Sequence, residues 1–183
     1  AGHLASATTT VHSAADNDAD SEGGGRALAV ALTALGAALA SLGEHEEAVA
    51  PRREAVQIHR DLDAEPELAA TLVDLGASLR SLGEHDSALA AAREAVRRYR
   101  NLVAADPDGH GGDLARALID LGADLRSTGA HQDALEASRE AVRRCRDVAA
   151  AAPARHLPDL ADALTGLGAD LRECGAHRDA LEA

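Results

Sequence analysis

The chain has 183 residues, 46% of them hydrophobic, a net charge of −13, and no Phe, Trp or Met. That acidity repels phosphate backbones and argues against a nucleic-acid partner. All 18 basic residues are Arg and Tyr99 is the sole aromatic, so Leu and Ala must build the core, which favours closely packed helices over strands.

Residues 1–25 are rich in Ser, Thr, Gly and Asp and end in "EGGGR". They read as a disordered tail or linker ahead of a folded array over 26–183. They lack a basic start and a continuous apolar stretch, so no signal peptide is visible. No apolar run approaches the ~18–20 residues that span a bilayer, and no membrane partner is expected. Two cysteines make no disulfide framework, which points to a reduced, cytoplasmic setting. The Arg-only, Ala-rich bias resembles GC-rich bacterial coding. The absence of a starting Met suggests a trimmed chain or a fragment.

From Leu28 the chain repeats itself. Four segments align without gaps, beginning at Leu28, Leu68, Leu114 and Leu160. They divide the array into repeats over 28–66, 68–112 and 114–158 and a partial one over 160–183. In the second, Leu68, Leu72, Leu75, Leu79 and Leu82 keep one face of a helix. The same steps suit a coiled coil, but no heptad register survives the glycines that follow: Gly43, Gly83, Gly129 and Gly175. Glycine there predicts a helix end and a tight turn. A second helix follows, with Ala88, Leu89, Ala95 and Val96 recurring as Ala134, Leu135, Ala141 and Val142. Pro66, "DPDGHGGD" (106–113), Pro153 and Pro158 mark connectors. Pro51 falls inside a second helix, where it costs a hydrogen bond and predicts a kink. Each unit is therefore helix A, turn, helix B and connector, and the units must stack to bury their apolar faces.

These residues resemble the tetratricopeptide repeat. Its helix A pattern corresponds to Leu32, Leu35-Gly36 and Leu39, recurring as Leu72, Leu75-Gly76 and Leu79, then Leu118, Leu121-Gly122 and Leu125, then Leu164, Leu167-Gly168 and Leu171. The turn glycine matches Gly43, Gly83, Gly129 and Gly175. The small residues of helix B match Ala48, Ala88, Ala134 and Ala180, with Ala55, Ala95 and Ala141 later. Aromatic positions of the family are Leu or small here, and the longer unit resembles the kinesin-light-chain type found in bacterial signalling proteins. The resemblance implies an all-α, right-handed superhelical solenoid that binds a protein or peptide in a concave groove built from helix A. The other reading is a sensor or autoinhibitory segment of a larger signalling protein. Uncapped repeat ends also allow self-association.

His45, His85, His131 and His177 share one column beside acids. Equivalent side chains in a stack stay on the order of 10 Å apart, whereas metal ligands converge to ~2.0–2.1 Å of one ion. They read as first-turn residues of helix B packed on helix A, and no metal or other cofactor is expected. The loop 106–113 lacks the acid spacing of a calcium loop. Arg97–Arg100 and Arg143–Arg146 follow Glu94 and Glu140 and read as a salt-bridged face. No nucleophile, base and orienting group converge, so no catalytic residue is assigned. The candidate binding residues are two columns on helix A: Asp74 and Asp120, and Arg80, Arg126 and Arg172. They could hold an extended peptide or pair with each other; the first repeat has Ala34 and Ala40 instead.

Overall fold

The computed structural model describes the backbone over 2–106 and 109–182 and side chains over 22–106 and 109–175. Among these residues there are seven helices and no strand: α1 (Gly2–Ser41), α2 (His45–Asp61), α3 (Glu65–Ser81), α4 (His85–Ala105), α5 (Gly111–Ser127), α6 (His131–Ala151) and α7 (Pro153–Glu182). The odd-numbered helices are the A helices and the even-numbered ones the B helices.

The hairpin turns follow from their glycines. Gly43, Gly83 and Gly129 have φ of +83°, +77° and +77°. At each, the glycine N–H and the next N–H reach back to helix A carbonyls: Gly83 to Arg80 at 3.0 Å and Glu84 to Leu79 at 2.9 Å. This Schellman pair satisfies carbonyls that a helix end leaves open. Asp63 (φ 49°) closes α2 in the same way. The longer later repeat has a local origin. Helix α4 has 21 residues against 17 in α2, about one more turn, and its connector is also longer.

Packing is built on alanine. Ala48, Ala55, Ala88, Ala95, Ala134 and Ala141 are all fully buried, and Leu68, Leu72, Leu79, Leu114, Leu118 and Leu125 nearly so. Successive helices pack on one another. The backbone of each A helix also lies close to the next A helix, whereas the B helices stand farther apart and meet only through side-chain ion pairs. The A helices therefore crowd the inner side of the stack, which makes their free surface the concave one.

Several expectations change. Of the tail expected over 1–25, residues 2–25 belong to α1, with side chains described from Glu22 onward. The segment Glu22–Ser41 is long and apolar enough to span a bilayer by length and composition, contrary to the reading of the run lengths. Its many alanines, interrupted by charge only at Glu22 and Arg26, accumulate hydropathy that no continuous Leu/Val run announces. Gly175 does not turn the chain, because α7 continues through it. Pro158 likewise lies inside α7, and Pro51 inside an uninterrupted α2. His85 is exposed rather than packed, while His45 and His131 are half-buried. His177 lies outside the residues whose side chains are described.

Candidate functional site

The A helices position their charges by periodicity: the arginine eight residues after the Leu118-type position reaches the next repeat, whose aspartates lie two or six residues after the corresponding leucine. Arg80, from α3, reaches α5. Its guanidinium donates to the Asp120 carbonyl at 3.1 Å, to Asp120 Oδ1 at 2.6 Å and to Asp124 Oδ1 at 3.0 Å. Arg126, from α5, repeats the reach to α7 and donates to Asp170 Oδ1 at 2.9 Å. Asp124 and Asp170 are almost completely buried. Two of the proposed columns thus meet, but as ties between neighbouring repeats. Arg80 joins Asp120, and Arg126 turns to Asp170.

The first repeat has Ala40 in place of this arginine, and the tie is made from another helix. Arg52 of α2 donates to the Asp74 carbonyl at 2.6 Å and to Ser78 Oγ. These acceptors occupy the places of the Asp120 carbonyl and Asp124. Arg52 is itself buried, and it shares a column with Ala92 and Ser138. A Cβ on Gly36 would lie 2.7 Å from Arg52 Cγ, so this glycine makes room for the arginine. Gly122 makes room for Ser138, whose Oγ would be 2.9 Å from a Cβ, whereas a Cβ on Gly76 would meet nothing closer than the Ala88 carbonyl at 3.5 Å. The motif glycine serves side chains at two of these places, and backbone approach only at Gly76.

The two buried aspartates differ. Asp170 accepts from Arg126 on one oxygen and from Ser138 Oγ on the other. Asp124 has Ala92 where Asp170 has Ser138, and its Oδ2 is buried without a partner. Burial pushes the Asp124 carboxyl up to about 6 against the pull of Arg80. Burial also raises Asp74, with Arg52 opposing.

A second ladder runs along the B helices. Arg60 meets Glu94 at 3.2 Å and Arg100 meets Glu140 at 2.6 Å. Arg98 meets Glu94 at 2.9 Å and also Glu65. Burial disfavours the Glu94 anion, but hydrogen bonds from Arg98 and Arg60 outweigh it and hold this carboxyl below its ordinary range. Apart from the Arg98 pairs, the arginine in both ladders comes from one repeat and the acid from the next. The salt-bridged face expected of the arginine runs is present at Arg98 and Arg100 of the first run, whereas among the described residues Arg143, Arg144 and Arg146 make no ion pair and Glu140 is taken by Arg100.

Three groups of the concave side remain open to a partner. Arg172 is exposed and has no ion pair among the described residues. Arg116, not singled out from the sequence, is 67% exposed and only grazes Asp159 at 3.8 Å. Asp74 contributes its carbonyl to Arg52 and keeps its carboxyl half-buried at the groove. Among the described residues no group of three or more His, Cys, Asp or Glu side chains is placed to hold a metal. Cys145 and Cys174 are free thiols; burial pushes the Cys145 thiol up to about 11, leaving it protonated and unreactive.

Comparison with known proteins agrees with this geometry. Tetratricopeptide-repeat profiles match residues 21–101 and 114–150. No curated protein matches. Among solved structures, BtubC (BKLC) from P. vanneervenii is similar over 66% of this chain and 47% of its own, with a TM-score of 0.60 and 25% identity. The chain thus spans about half of that protein's length. A P. anserina structure described as a kinesin light chain with nearly identical TPR-like repeats is similar over 84% of this chain and 70% of its own, at 19% identity and a TM-score of 0.60. A single-substitution variant of that P. anserina protein gives the same coverage and identity, with a TM-score of 0.62. Repeats of this kind mediate protein–protein interaction, and their fold is typically a non-catalytic scaffold. With its stacked hairpins, turn glycines and alanine contacts, the chain belongs to the tetratricopeptide repeat family.

Proposed function

We propose that the chain is an interaction module whose concave A-helix side receives an extended segment of a protein partner. One observation carries this reading: the A helices converge on one side and leave Arg116, Arg172 and the Asp74 carboxyl there, while the other charges of the columns are engaged between repeats. Donors and an acceptor spaced along a groove suit the backbone and charged side chains of an extended peptide. The ties fix the groove's curvature, so less order is lost on binding.

The test is selection of binders from a displayed library of random peptides. Selected peptides should lose at least about tenfold in affinity for the Arg116→Glu, Arg172→Glu double variant, a loss of ~1.4 kcal/mol. They should keep their affinity for Arg97→Glu, which lies on the B-helix side. Peptides that distinguish Arg97→Glu but not the groove variant would place recognition elsewhere.

A further inference from the structure

The outward half of α1 carries a face that is buried in the other repeats. Leu28 and Leu35 are 47% and 48% exposed, whereas Leu68, Leu75, Leu114 and Leu121 at the same places are at most 9% exposed. With Leu42 they form a stripe at seven-residue steps. Ala27, Ala31, Ala34 and Ala38 flank it, all exposed, and no charged residue occurs between Arg26 and Glu44. Interior A helices have Asp74, Asp120 and Asp124 in these columns. An uncharged face this wide on a helix in water marks a surface that something covers.

Charge chooses among the candidates. The opposite end of another copy offers Arg172. In the interior, that arginine column is met by Asp124 or Asp170 of the next repeat, but α1 presents Ala38, so Arg172 would be desolvated without an anion. A lipid surface is favoured by basic flanks, and α1 has only Arg26, in a chain of net charge −13. A second α1 meets neither obstacle. Paired antiparallel about a two-fold axis at Leu35, it sets Leu28 against the partner's Leu42, and the alanines allow close approach.

We infer that two copies of the chain associate through the outward faces of α1, antiparallel and centred on Leu35. This goes beyond the groove reading and does not depend on it. One helix face falls short of the roughly 800 Å² per partner of a standard interface, so the dimer is concentration-dependent. Sedimentation equilibrium of the full 183-residue chain, taken from about 1 to 100 μM, should show monomer and dimer. Leu35→Glu should weaken association at least about a hundredfold, because it sets two carboxylates face to face. Leu28→Glu tests the same face should Leu35→Glu unfold, and circular dichroism checks both. Leu164→Glu, at the other end, should leave the dimer intact. In a Cys174→Ser background, Leu35→Cys should form a disulfide-linked dimer on mild oxidation, because the axis brings that residue onto itself. A chain monomeric throughout the range would overturn the inference. So would a dimer lost in Leu164→Glu but kept in Leu35→Glu, or a monomer that sediments with phosphatidylcholine vesicles through Leu35.

Discussion

The first repeat and the second and third share a leucine frame but differ in the charged residues placed on it. Helix α1 has Ala34, Ala38 and Ala40 where α5 has Asp120, Asp124 and Arg126. In the later repeats the A helices are joined by guanidinium-to-carboxylate ties. In the first, the corresponding tie comes from Arg52 on helix B. The frame thus sets where helices lie, and the polar columns decide what each end of the stack can meet. Interior faces accept a neighbour that brings an arginine, whereas the outward face of α1 has no acid to receive one.

Substitutions of three kinds probe that difference. The largest effect is expected from Arg80→Ala, which leaves Asp124 buried without a counter-charge. Breaking a fully buried pair costs ~3–5 kcal/mol; with Arg80 26% exposed, a loss of about 2–3 kcal/mol is expected. Denaturant unfolding measures it, and the same substitution in the B-helix ladder, Arg100→Ala, should cost under ~1 kcal/mol.

The motif glycines come next. Gly122→Ala drives a methyl against Ser138 Oγ and should cost ~1–2 kcal/mol. Gly76→Ala finds ordinary contact distances and should be neutral or gain up to ~1 kcal/mol from helix propensity. Thermal unfolding of the two variants side by side distinguishes this from a uniform requirement for glycine.

The smallest effect is a gain. Ala92→Ser gives Asp124 Oδ2 the hydroxyl that Ser138 gives Asp170, and should stabilise by ~1 kcal/mol at pH 7. It should also change the pH dependence. Asp124 titrates at about 6 when folded against an ordinary 3.8, so between these values the folded chain holds the extra proton. Its contribution makes the chain more stable as pH falls from about 6 towards 4. The added hydroxyl favours the anion and should shrink that rise. An unchanged pH profile would show that the orphaned oxygen does not set the shift.

The hairpins, the turns at Gly43, Gly83 and Gly129, and the alanine contacts were legible in the sequence, because each depends on residues a few places apart and recurs. The ties were not. Arg80 and Arg126 each reach an acid 44 residues on, so recognising the partner requires knowing how far neighbouring repeats slide. A signal was present in the column Ser78, Asp124 and Asp170, which is polar on an otherwise apolar face. Arg52 escaped notice because a helix B arginine normally reads as surface, although its column holds Ala92 and Ser138. At Gly175 the motif alone predicts a turn, whereas α7 runs on through it.

The central claim is that the A-helix arginines couple one repeat to the next through a buried carboxylate. A double-mutant cycle of Arg80→Ala and Asp124→Ala, followed by denaturant unfolding at pH 7, addresses it directly. The account predicts a coupling of at least ~1.5 kcal/mol, whereas additivity within ~0.3–0.5 kcal/mol would contradict it.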